Sequence, residues 1–488
     1  SSMRFPASTA KATTMTATTH LEPSRAYAAA LDFLASRIDF ERMKRMPYGE
    51  AVLKLDRMRE LLARLEHPER AMPIVHVAGT KGKGSTSAML AAMLRAAGRR
   101  VGLFTSPHLE GVEERFNVDG RPAGRDELVE LVRRVRPAVE AMDAQARQRG
   151  GSAVGPTYFE VTTAMALAQF ARRAVDLAIL EVGLGGRLDS TNVCTPILSI
   201  ITSISFDHTQ QLGTTLAAIA AEKAGILKPG VPAVSGTTQP EPRDVIRRHA
   251  ARQGCRLIEL GRDFDFDYRP PRGLDGEDGL GEMDFLSRSA ELSAPSRPAL
   301  RLRLLGRHQA ANAAVAVAAV GELARLGWSV PDGAVREGLG NAALPARIER
   351  LGRRPTVVLD AAHNVASIEA LIAVLRESFA PRRRWLIFAA SADKDVAGML
   401  RAAAGYFDEI VLTSFRSNPR AMPAEALRAL AAEATGRTGT TRPTPAEAWD
   451  EVAARAGLDD LVCIAGSFFL AAEMRRLLAP RRAADDKQ

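Results

Sequence analysis

The stretch that decides the fold is Ala78-Gly79-Thr80-Lys81-Gly82-Lys83-Gly84-Ser85-Thr86. It follows the apolar run Ile74–Val77, which predicts a short strand, and it precedes apolar positions at helical spacing from Met89 to Leu94. A glycine-rich loop between a strand and a helix is typical of a phosphate-binding loop. Its glycines let backbone N–H groups approach phosphate oxygens, and the amino end of the helix adds positive potential there.

Lys83 is expected to act as a mobile positive charge on the outer phosphates. The loop departs from the common G-x-x-x-x-G-K-[ST] form, because Gly79 stands only three positions before Gly82 and because Gly84 replaces the metal-binding hydroxyl. An exposed glycine-rich turn is the alternative, but two lysines flanking Gly82 between a strand and a helix favour the phosphate loop. The predicted nucleotide-binding residues in this loop are Gly79, Thr80, Gly82, Lys83, Gly84, Ser85 and Thr86.

Length and composition limit the classes of protein that fit. The chain has 488 residues, which predicts more than one domain, and its 46% hydrophobic and 25% charged residues are typical of a globular protein. No apolar run approaches the ~20 residues of a membrane helix, so no membrane partner is expected. The net charge of +9 suits phosphate-rich ligands, but aromatic residues make up only 5%, so nucleic acid is not an expected partner. Three separated cysteines without a CxxC pair fit a reducing cytoplasm.

Apolar runs of strand length recur along the chain and alternate with helical segments. This alternation predicts an α/β fold with mostly parallel sheets and helices on both faces. Such sheets bind ligands beyond the carboxyl ends of their strands. Besides the strand before the phosphate loop, the predicted strands are Leu177–Val182, Ile197–Ile204, Val357–Leu359, Trp385–Ala389, Ile410–Thr413 and Leu461–Ala465.

The composition also suggests how the chain divides. Residues 1–25 are expected to be a disordered tail, residues 26–343 an ATP-binding domain, and residues 344–488 a smaller second α/β domain. The boundary is placed near Leu344, after a stretch rich in glycine and proline with little strand signal. Residues 263–300 interrupt the alternation and predict either a loop-rich excursion or short antiparallel hairpins.

Later segments narrow the class of nucleotide-binding protein. The first are Phe104-Thr105-Ser106-Pro107-His108-Leu109 with Glu114-Arg115-Phe116, Glu181-Val182-Gly183-Leu184-Gly185-Gly186-Arg187-Leu188-Asp189-Ser190-Thr191-Asn192, Asp207-His208 with Leu212-Gly213, and Glu222-Lys223-Ala224-Gly225-Ile226. The others are His308-Gln309 with Asn312, Arg347-Ile348-Glu349, Asp360-Ala361-Ala362-His363-Asn364, and Ala465-Gly466-Ser467. Together they resemble, in the same order, the motifs of the folylpolyglutamate synthase and dihydrofolate synthase family, part of the wider Mur-ligase group.

This resemblance implies a Mur-ligase-like ATPase domain followed by a Rossmann-like domain, in a monomeric cytoplasmic enzyme. The implied reaction is an ATP-dependent addition of L-glutamate to folate or to dihydropteroate. A carboxylate is a poor electrophile, so ATP first converts it to an acyl phosphate, which the amine of glutamate then attacks. The implied cofactors are ATP, two Mg²⁺ ions and a monovalent cation.

The resemblance also assigns roles to residues in the first domain. Ser106 and Glu160 are implied to hold one Mg²⁺, and Ser106 could supply the hydroxyl that Gly84 lacks. Glu160 precedes an apolar helical run, and a buried acid needs a partner such as a metal. His208 and a carbamylated Lys223 are implied to hold the second Mg²⁺. Without the resemblance, a capping or core histidine and a surface lysine would be the simpler interpretations.

The second group of implied site residues surrounds the predicted domain boundary. Asn312 is implied to contact adenine, and Arg347 to reach the phosphates from the opposite side of the cleft. Asp360 and His363 are implied to border the nucleotide. The family usually has Pro-Gly-Arg where this chain has Pro345-Ala346-Arg347, which leaves the shape of that loop open.

Two alternative functions are left open. Another Mur-type amino-acid ligase would share the ATPase domain, but such enzymes carry an additional amino-terminal domain, for which the segment before the phosphate loop is too short. A nucleotide-binding protein without ligase activity would not need the full set of predicted metal ligands. The sequence does not distinguish dihydrofolate synthesis from polyglutamate extension.

Overall fold

The computed structural model describes residues 25–40, 55–150, 154–275 and 279–479. Of the predicted tail, residues 1–24 lie outside the described residues, and Arg25 begins the first helix. The α-helices are α1 Arg25–Ala35, α2 Leu55–Arg64, α3 Lys83–Ala96, α4 Arg125–Arg149, α5 Tyr158–Arg172, α6 Thr209–Leu212, α7 Leu216–Ala224, α8 Pro240–Arg252, α9 Arg307–Arg325, α10 Asp332–Asn341, α11 Val365–Ser378, α12 Val396–Ala404, α13 Ala424–Thr435, α14 Pro445–Arg455 and α15 Phe468–Leu478. The strands are β1 Ile74–Ala78, β2 Val101–Phe104, β3 Asn117–Val118, β4 Leu177–Glu181, β5 Leu198–Ile201, β6 Ala233–Ser235, β7 Leu257–Glu259, β8 Phe264–Arg269, β9 Gly281–Ser287, β10 Arg297–Leu302, β11 Glu349–Arg353, β12 Thr356–Leu359, β13 Arg384–Phe388, β14 Glu409–Leu412, β15 Thr440–Thr441 and β16 Leu461–Ala465.

The first sheet carries the phosphate loop. In the described residues it has seven strands in the order β3-β2-β4-β1-β5-β6-β7, and only the β2–β3 pair is antiparallel. β1 and β4 are buried along their whole length. A parallel sheet covered by helices on both faces needs such continuous apolar strands, which explains why these runs could be recognised in the sequence.

The segment 263–300 forms antiparallel strands, the second of the two predicted alternatives. β8, β9 and β10 form a small sheet in the order β10-β9-β8. Its apolar face packs with α9, whose alanines are almost all buried. Small side chains let this helix lie close to both sheets, and they leave Asn312 near its amino end facing the phosphate loop.

The second large sheet lies in the carboxyl-terminal α/β domain. In the described residues it has six strands in the order β11-β12-β16-β13-β14-β15, all parallel except the β11–β12 pair. β12, β13 and β16 correspond to predicted strands, while α10 falls where the sequence showed only glycine, proline and little strand signal. Glycines weaken a helix pattern, and Gly338 is used here because its Cα lies against the backbone of Met93 in α3.

The carboxyl ends of the central strands of both large sheets lead into one cleft. The phosphate loop follows β1, Glu181 ends β4, and Asp360 follows β12. This placement agrees with the rule that open α/β sheets bind ligands beyond their strand ends. No helix of the described residues is long and apolar enough to cross a membrane.

Candidate active site

The cleft has a volume of about 1340 Å³ and is lined from both large sheets. Among the predicted site residues, Gly79, Thr86 and Lys223 do not line it. Gly79 lies just beneath its surface, where its carbonyl oxygen accepts hydrogen bonds from both Lys83 and Lys223. The predicted residues that line the cleft are Thr80, Gly82, Lys83, Gly84, Ser85, Ser106, Glu160, His208, Asn312, Arg347, Asp360 and His363.

The phosphate loop is held from behind by the segment that follows β5. The Thr202 hydroxyl donates to the Lys81 carbonyl at 2.7 Å, and the Thr80 amide donates to the Ser203 carbonyl at 2.7 Å. Gly82 precedes α3 with a φ of 85°, and a Cβ there would lie 2.2 Å from the Asn312 side-chain oxygen. Glycine is therefore required at this position by both backbone and packing.

Lys83 and Glu181 bring opposite charges close together beside the phosphate loop. The Lys83 ammonium donates to the Gly79 carbonyl at 3.2 Å and lies 4.0 Å from the Glu181 carboxylate. The same carboxylate accepts a 3.3 Å hydrogen bond from the Ser106 amide. Burial raises the pKa of Glu181 to about 7, although Lys83 and the Ser106 amide oppose the shift.

Glu181 lies where the hydroxyl of the common phosphate loop would point. A Cβ on Gly84 would lie 3.5 Å from a Glu181 carboxylate oxygen, so the missing hydroxyl would have been next to this acid. Ser106 approaches the acid from the other side through its own amide. Glu181 had no predicted role, although an acid that ends an apolar strand at the ligand-binding edge was a usable signal.

The Glu160 carboxylate, predicted from the sequence as a metal ligand, has partners within the protein. Both of its carboxylate oxygens accept hydrogen bonds from the Arg57 Nε, at 3.0 and 2.9 Å. One oxygen also accepts from the Thr157 amide at 2.7 Å, which closes a capping box at the start of α5. The carboxylate is thus neutralised and hydrogen-bonded by protein groups, so the physical reason for inferring a metal beside Glu160 is removed.

Lys223 is buried rather than solvated, with 4% of its surface exposed. Its ammonium donates to the Gly79 carbonyl at 2.9 Å, directly behind the phosphate loop. Burial, followed by the charge of Lys83, lowers the pKa of Lys223 to about 7. A substantial fraction of this amine is therefore neutral near neutral pH, unlike a surface lysine.

His208 lies at the wall of the cleft with a φ of 48°, the left-handed region that is uncommon for a histidine. It precedes α6 without a side-chain capping bond, and its side chain is 52% exposed. Its amide donates to the Asp207 carboxylate at 2.9 Å, and its Nε2 lies 3.8 Å from the same group. Neither a capping nor a core role fits these observations, so the ring is available to a ligand.

The carboxyl-terminal wall is organised by Asp360. Its oxygens accept hydrogen bonds from the Ile348 amide at 2.9 Å and the Ala362 amide at 2.8 Å. Burial raises the pKa of Asp360, and Arg347 opposes the shift. The His363 Nδ1 lies 2.9 Å from the Ala361 carbonyl and must donate to it, and burial lowers the pKa of this histidine. This contact places a proton on Nδ1 and fixes the orientation of the ring.

In the loop Pro345-Ala346-Arg347, alanine stands where the family usually has glycine, and its backbone adopts the left-handed conformation that favours glycine. Ala346 has a φ of 52°, and Ile348 has a φ of 49°. The Ala346 amide donates to the Glu349 carboxylate at 2.9 Å, and its carbonyl accepts from the Ala361 amide at 3.0 Å. These bonds hold Ala346 in a region that usually favours glycine, at a cost of about 1 kcal/mol.

The cleft also contains cations for which no role was predicted from the sequence, Arg115 and Arg476 among them. Lys81, Lys394 and Arg420 all line it. Lys394 follows β13, in the segment Ser391–Asp395, and Arg420 lies 3.8 Å from the Asp393 carboxylate. The position of Lys394 after a predicted strand was a signal that could have been used.

A metal at this site would have few protein ligands. In the part of the chain that the structure describes, no group of three or more histidine, cysteine and acidic side chains is arranged to hold a metal ion by itself. Mg²⁺ retains several waters and shares phosphate oxygens, so one or two protein oxygens suffice for it. The buried Glu181 carboxylate, 4.0 Å from the Lys83 ammonium, fits such an ion.

Fold and site together define a Mur-type ligase: a phosphate-loop ATPase domain faces a carboxyl-terminal α/β domain across a cleft. Family models agree, since residues 140–320 match the Mur ligase middle domain and residues 346–468 match the Mur ligase glutamate ligase domain. The chain belongs to the folylpolyglutamate synthase and dihydrofolate synthase family. It is accordingly an ATP-dependent ligase that adds glutamate to folates.

The similarity covers most of the chain. It is 37% identical over 426 residues to the dihydrofolate synthase/folylpolyglutamate synthase of Bacillus subtilis, covering 87% of this chain and 94% of the relative. The structure of Mycobacterium tuberculosis folylpolyglutamate synthase complexed with ADP and AMPPCP matches with a TM-score of 0.81 at 32% identity, covering 93% and 98% of the two chains. The E. coli FolC complex with DHPP and ADP matches with a TM-score of 0.75 at 30% identity, covering 92% and 97%.

Proposed function

We propose that the phosphates of ATP lie on the loop Gly79–Thr86, with Lys83 on the outer phosphates and Asn312 toward the adenine. The observation that carries this is the convergence of Lys83, Ser106 and Glu181 on one point of the cleft. The backbone amides at the start of α3 and the Lys83 ammonium supply positive potential for a triphosphate.

The reaction then follows from the chemistry of a carboxylate. An oxygen of the folate or dihydropteroate carboxylate attacks the γ-phosphorus, the bond to the β-phosphate oxygen breaks, and ADP leaves. The amine of glutamate attacks the acyl carbon, loses a proton, and expels phosphate. Positioning and neutralisation of charge account for most catalysis of the first step, so the cleft needs cations more than it needs a nucleophile.

Mg²⁺ fits two positions beside the phosphates. Ser106 and Glu181 would hold one ion, and His208 would contact a second. Bound there, Mg²⁺ would neutralise charge on the transferring phosphoryl group. Glu181 replaces Glu160 in this assignment, because the Glu160 carboxylate already binds Arg57 at 2.9 Å, whereas the Lys83 ammonium lies 4.0 Å from the Glu181 carboxylate.

Lys223 is proposed to be carbamylated, as the resemblance to the family implied. The neutral amine adds to carbon dioxide and loses a proton, which gives an anionic carbamate beside the second ion. The pKa of about 7 supplies the neutral amine that this addition needs. Carbamylation would replace the hydrogen bond to the Gly79 carbonyl and would exchange a charge that repels a metal for one that attracts it.

The carboxyl-terminal wall is proposed to bind glutamate and the transferred group. Lys394 and Arg420 offer cations for the carboxylates of the amino acid, and Arg347, Asp360 and His363 face the phosphates. We place the domain junction near Leu344, since these residues lie beyond it and the phosphate loop lies before it. One copy of the chain supplies both walls, so the proposed active unit is the monomer.

The test is ADP release and glutamate incorporation measured with dihydropteroate and tetrahydrofolate offered separately. Turnover that requires ATP, glutamate and one of the two acceptors is expected, and the preferred acceptor identifies the physiological reaction. The Lys83→Met variant should lose most turnover with either acceptor while keeping a native circular dichroism spectrum. A folded Lys83→Met variant with normal turnover would overturn the placement of the phosphates.

A further inference from the structure

The phosphate loop contains a second lysine whose side chain takes a different path from that of Lys83. The Lys83 ammonium turns back onto its own loop and donates to the Gly79 carbonyl. The Lys81 ammonium instead crosses the cleft and donates to the Asn364 side-chain oxygen at 3.0 Å. Asn364 caps the amino end of α11 in the carboxyl-terminal domain. One residue of the phosphate loop therefore touches the opposite wall.

The Asn364 oxygen that accepts the hydrogen bond from Lys81 is neutral and also accepts hydrogen bonds from other groups. The Asn364 oxygen also accepts from the Ser367 amide at 3.0 Å and from the Ser367 hydroxyl at 2.9 Å. Among the described residues, no carboxylate lies within ion-pairing distance of the Lys81 ammonium. An ammonium group has three donors, and this one directs its charge into the cleft without a matching anion.

The surroundings of Lys81 favour an anion that arrives from outside. The residue lines the cleft and is partly buried, and burial lowers its pKa, while the more distant acids Asp207 and Glu369 oppose the shift. Burial, followed by the charges of Arg347 and Lys81, lowers the pKa of His308 to about 4, so other basic groups lie near Lys81. The amino end of α11, beside Asn364, adds further positive potential.

We propose that Lys81 is a second phosphate-binding cation of this enzyme, and that through Asn364 it couples nucleotide binding to the approach of the two domains. The inference rests on the proposed placement of the triphosphate on the loop Gly79–Thr86. With ATP bound, one N–H of Lys81 keeps Asn364 and another donates to an outer phosphate oxygen. The nucleotide thereby completes an interaction that joins the two walls.

The position of the Lys81 ammonium predicts whether it contributes more to the binding of ATP or of ADP. Lys81 extends from the loop toward the far wall, so its ammonium lies on the outer side of the bound phosphates. Its contribution should be larger for a triphosphate than for a diphosphate. Loss of one charge-assisted hydrogen bond weakens binding by about tenfold.

The test measures the binding of ADP and of a non-hydrolysable ATP analogue by calorimetry, in the full-length protein with Mg²⁺. Lys81→Met should weaken the binding of the analogue by about tenfold and the binding of ADP by clearly less. Lys81→Arg keeps the charge and should recover most of the affinity. Circular dichroism and thermal melting show whether each variant is folded, and Lys81→Arg serves as the reference if Lys81→Met is unstable.

A second variant separates the coupling from the phosphate contact. Asn364→Ser keeps a residue that caps α11 but is too short to reach Lys81. Since coupling is reciprocal, this variant should bind the analogue less tightly than the wild type but more tightly than Lys81→Met, and small-angle scattering should show less compaction on binding. Equal compaction in Asn364→Ser and wild type would overturn the coupling role.

Lys83→Met distinguishes failure of this inference from failure of the proposed phosphate site. If Lys83→Met loses affinity while Lys81→Met binds both nucleotides like the wild type, then the role of Lys81 is overturned and the phosphate site stands. If Lys83→Met also binds both nucleotides normally, then the placement of the triphosphate is itself wrong. A selective loss of the ATP analogue in Lys81→Met supports the inference.

Discussion

The amino end of α5 and the carboxyl end of β4 each place a buried glutamate against the same cleft. Glu160 and Glu181 are both 5% exposed. Glu160 is held by the Arg57 guanidinium and by the amide of its own helix cap. Glu181 has a lysine at 4.0 Å and one long backbone hydrogen bond. The two carboxylates are therefore equally buried, but Glu160 has close hydrogen-bond and ion-pair partners, whereas those of Glu181 are more distant.

This difference separates a structural acid from a functional one. A buried carboxylate with a full set of partners stabilises the fold. A buried carboxylate without them destabilises the fold, and the binding of a cation offsets this destabilisation. Burial raises the pKa of Glu181 to about 7, the direction expected for a buried carboxylate of this kind. Each of the following four substitutions tests whether the comparison assigns the right role to the right glutamate.

The largest expected effect is that of Glu181→Gln on catalysis. The substitution keeps the shape of the side chain but removes the charge proposed to hold Mg²⁺ with Ser106. Turnover at saturating ATP should fall by about a hundredfold to a thousandfold, which corresponds to about 3–4 kcal/mol. The Mg²⁺ concentration needed for half-maximal turnover should rise as well, measured by titration at fixed nucleotide.

The matched control for this experiment is Glu160→Gln. It makes the same chemical change in the same cleft, and its Mg²⁺ titration should coincide with that of the wild type. If Glu160→Gln shifts the titration and Glu181→Gln does not, then the assignment of the two acids is reversed.

From the sequence, an acid could be predicted as a metal ligand, but the surroundings of the two buried acids could not be predicted. The capping box of Glu160 is a local pattern, Thr157 followed three residues later by Glu160, and was readable in principle. Its ion pair with Arg57 joins residues 103 positions apart and depends on how α2 packs against α5. Contacts of that kind come from tertiary packing, which periodicity and spacing do not encode.

The same limit applies to the fold. Strands of the parallel sheets were recognisable because burial on both faces requires continuous apolar runs, as in Leu177–Glu181. α10 was not, since its glycines weaken the helix pattern, and one of them, Gly338, serves close packing against α3. Most residues of the cleft were implied by the resemblance to the family, while the contact of Lys81 with Asn364 depends on the relative position of the two walls.

The second effect in size is that of Glu160→Gln on stability. The side chains of Arg57 and Glu160 are 10% and 7% exposed, so the substitution removes a buried negative charge that lies 2.9 Å from a poorly solvated guanidinium. Breaking such a pair costs about 3 kcal/mol of the free energy of unfolding. Urea denaturation at neutral pH measures it. An unchanged unfolding midpoint would show that the ion pair does not form in solution.

The third effect is a gain in stability of Glu181→Gln relative to the wild type, and it depends on pH. The ordinary pKa of Glu181 is 4.5 and burial raises it to about 7, so the folded state binds more protons than the unfolded state in this window. The free energy of unfolding of the metal-free protein should therefore fall as pH rises from about 5 to 7, by about 2 kcal/mol from this group. Glu181→Gln removes that contribution.

At pH 8 with a chelator present, Glu181→Gln should consequently be more stable than the wild type, whereas Glu160→Gln should be less stable. At pH 5 the difference between Glu181→Gln and the wild type should largely vanish. Thermal melting of the three proteins across this range provides the measurement. A pH-independent difference would mean that the Glu181 carboxylate stays ionised when the protein folds.

The smallest effect concerns the cap that fixes Glu160 in place. The Thr157 hydroxyl accepts a hydrogen bond from the Glu160 amide at 3.3 Å, and the Glu160 carboxylate accepts from the Thr157 amide at 2.7 Å. Thr157→Ala removes the first of these bonds and should lower the free energy of unfolding by about 1 kcal/mol, while Thr157→Ser should restore most of it. Neither variant should alter the Mg²⁺ dependence of turnover, since the role assigned to Glu160 is confined to the helix end. A Thr157→Ala protein that is as stable as the wild type but needs more Mg²⁺ would show that this cap positions a metal ligand after all, and the distinction between the two glutamates would not hold.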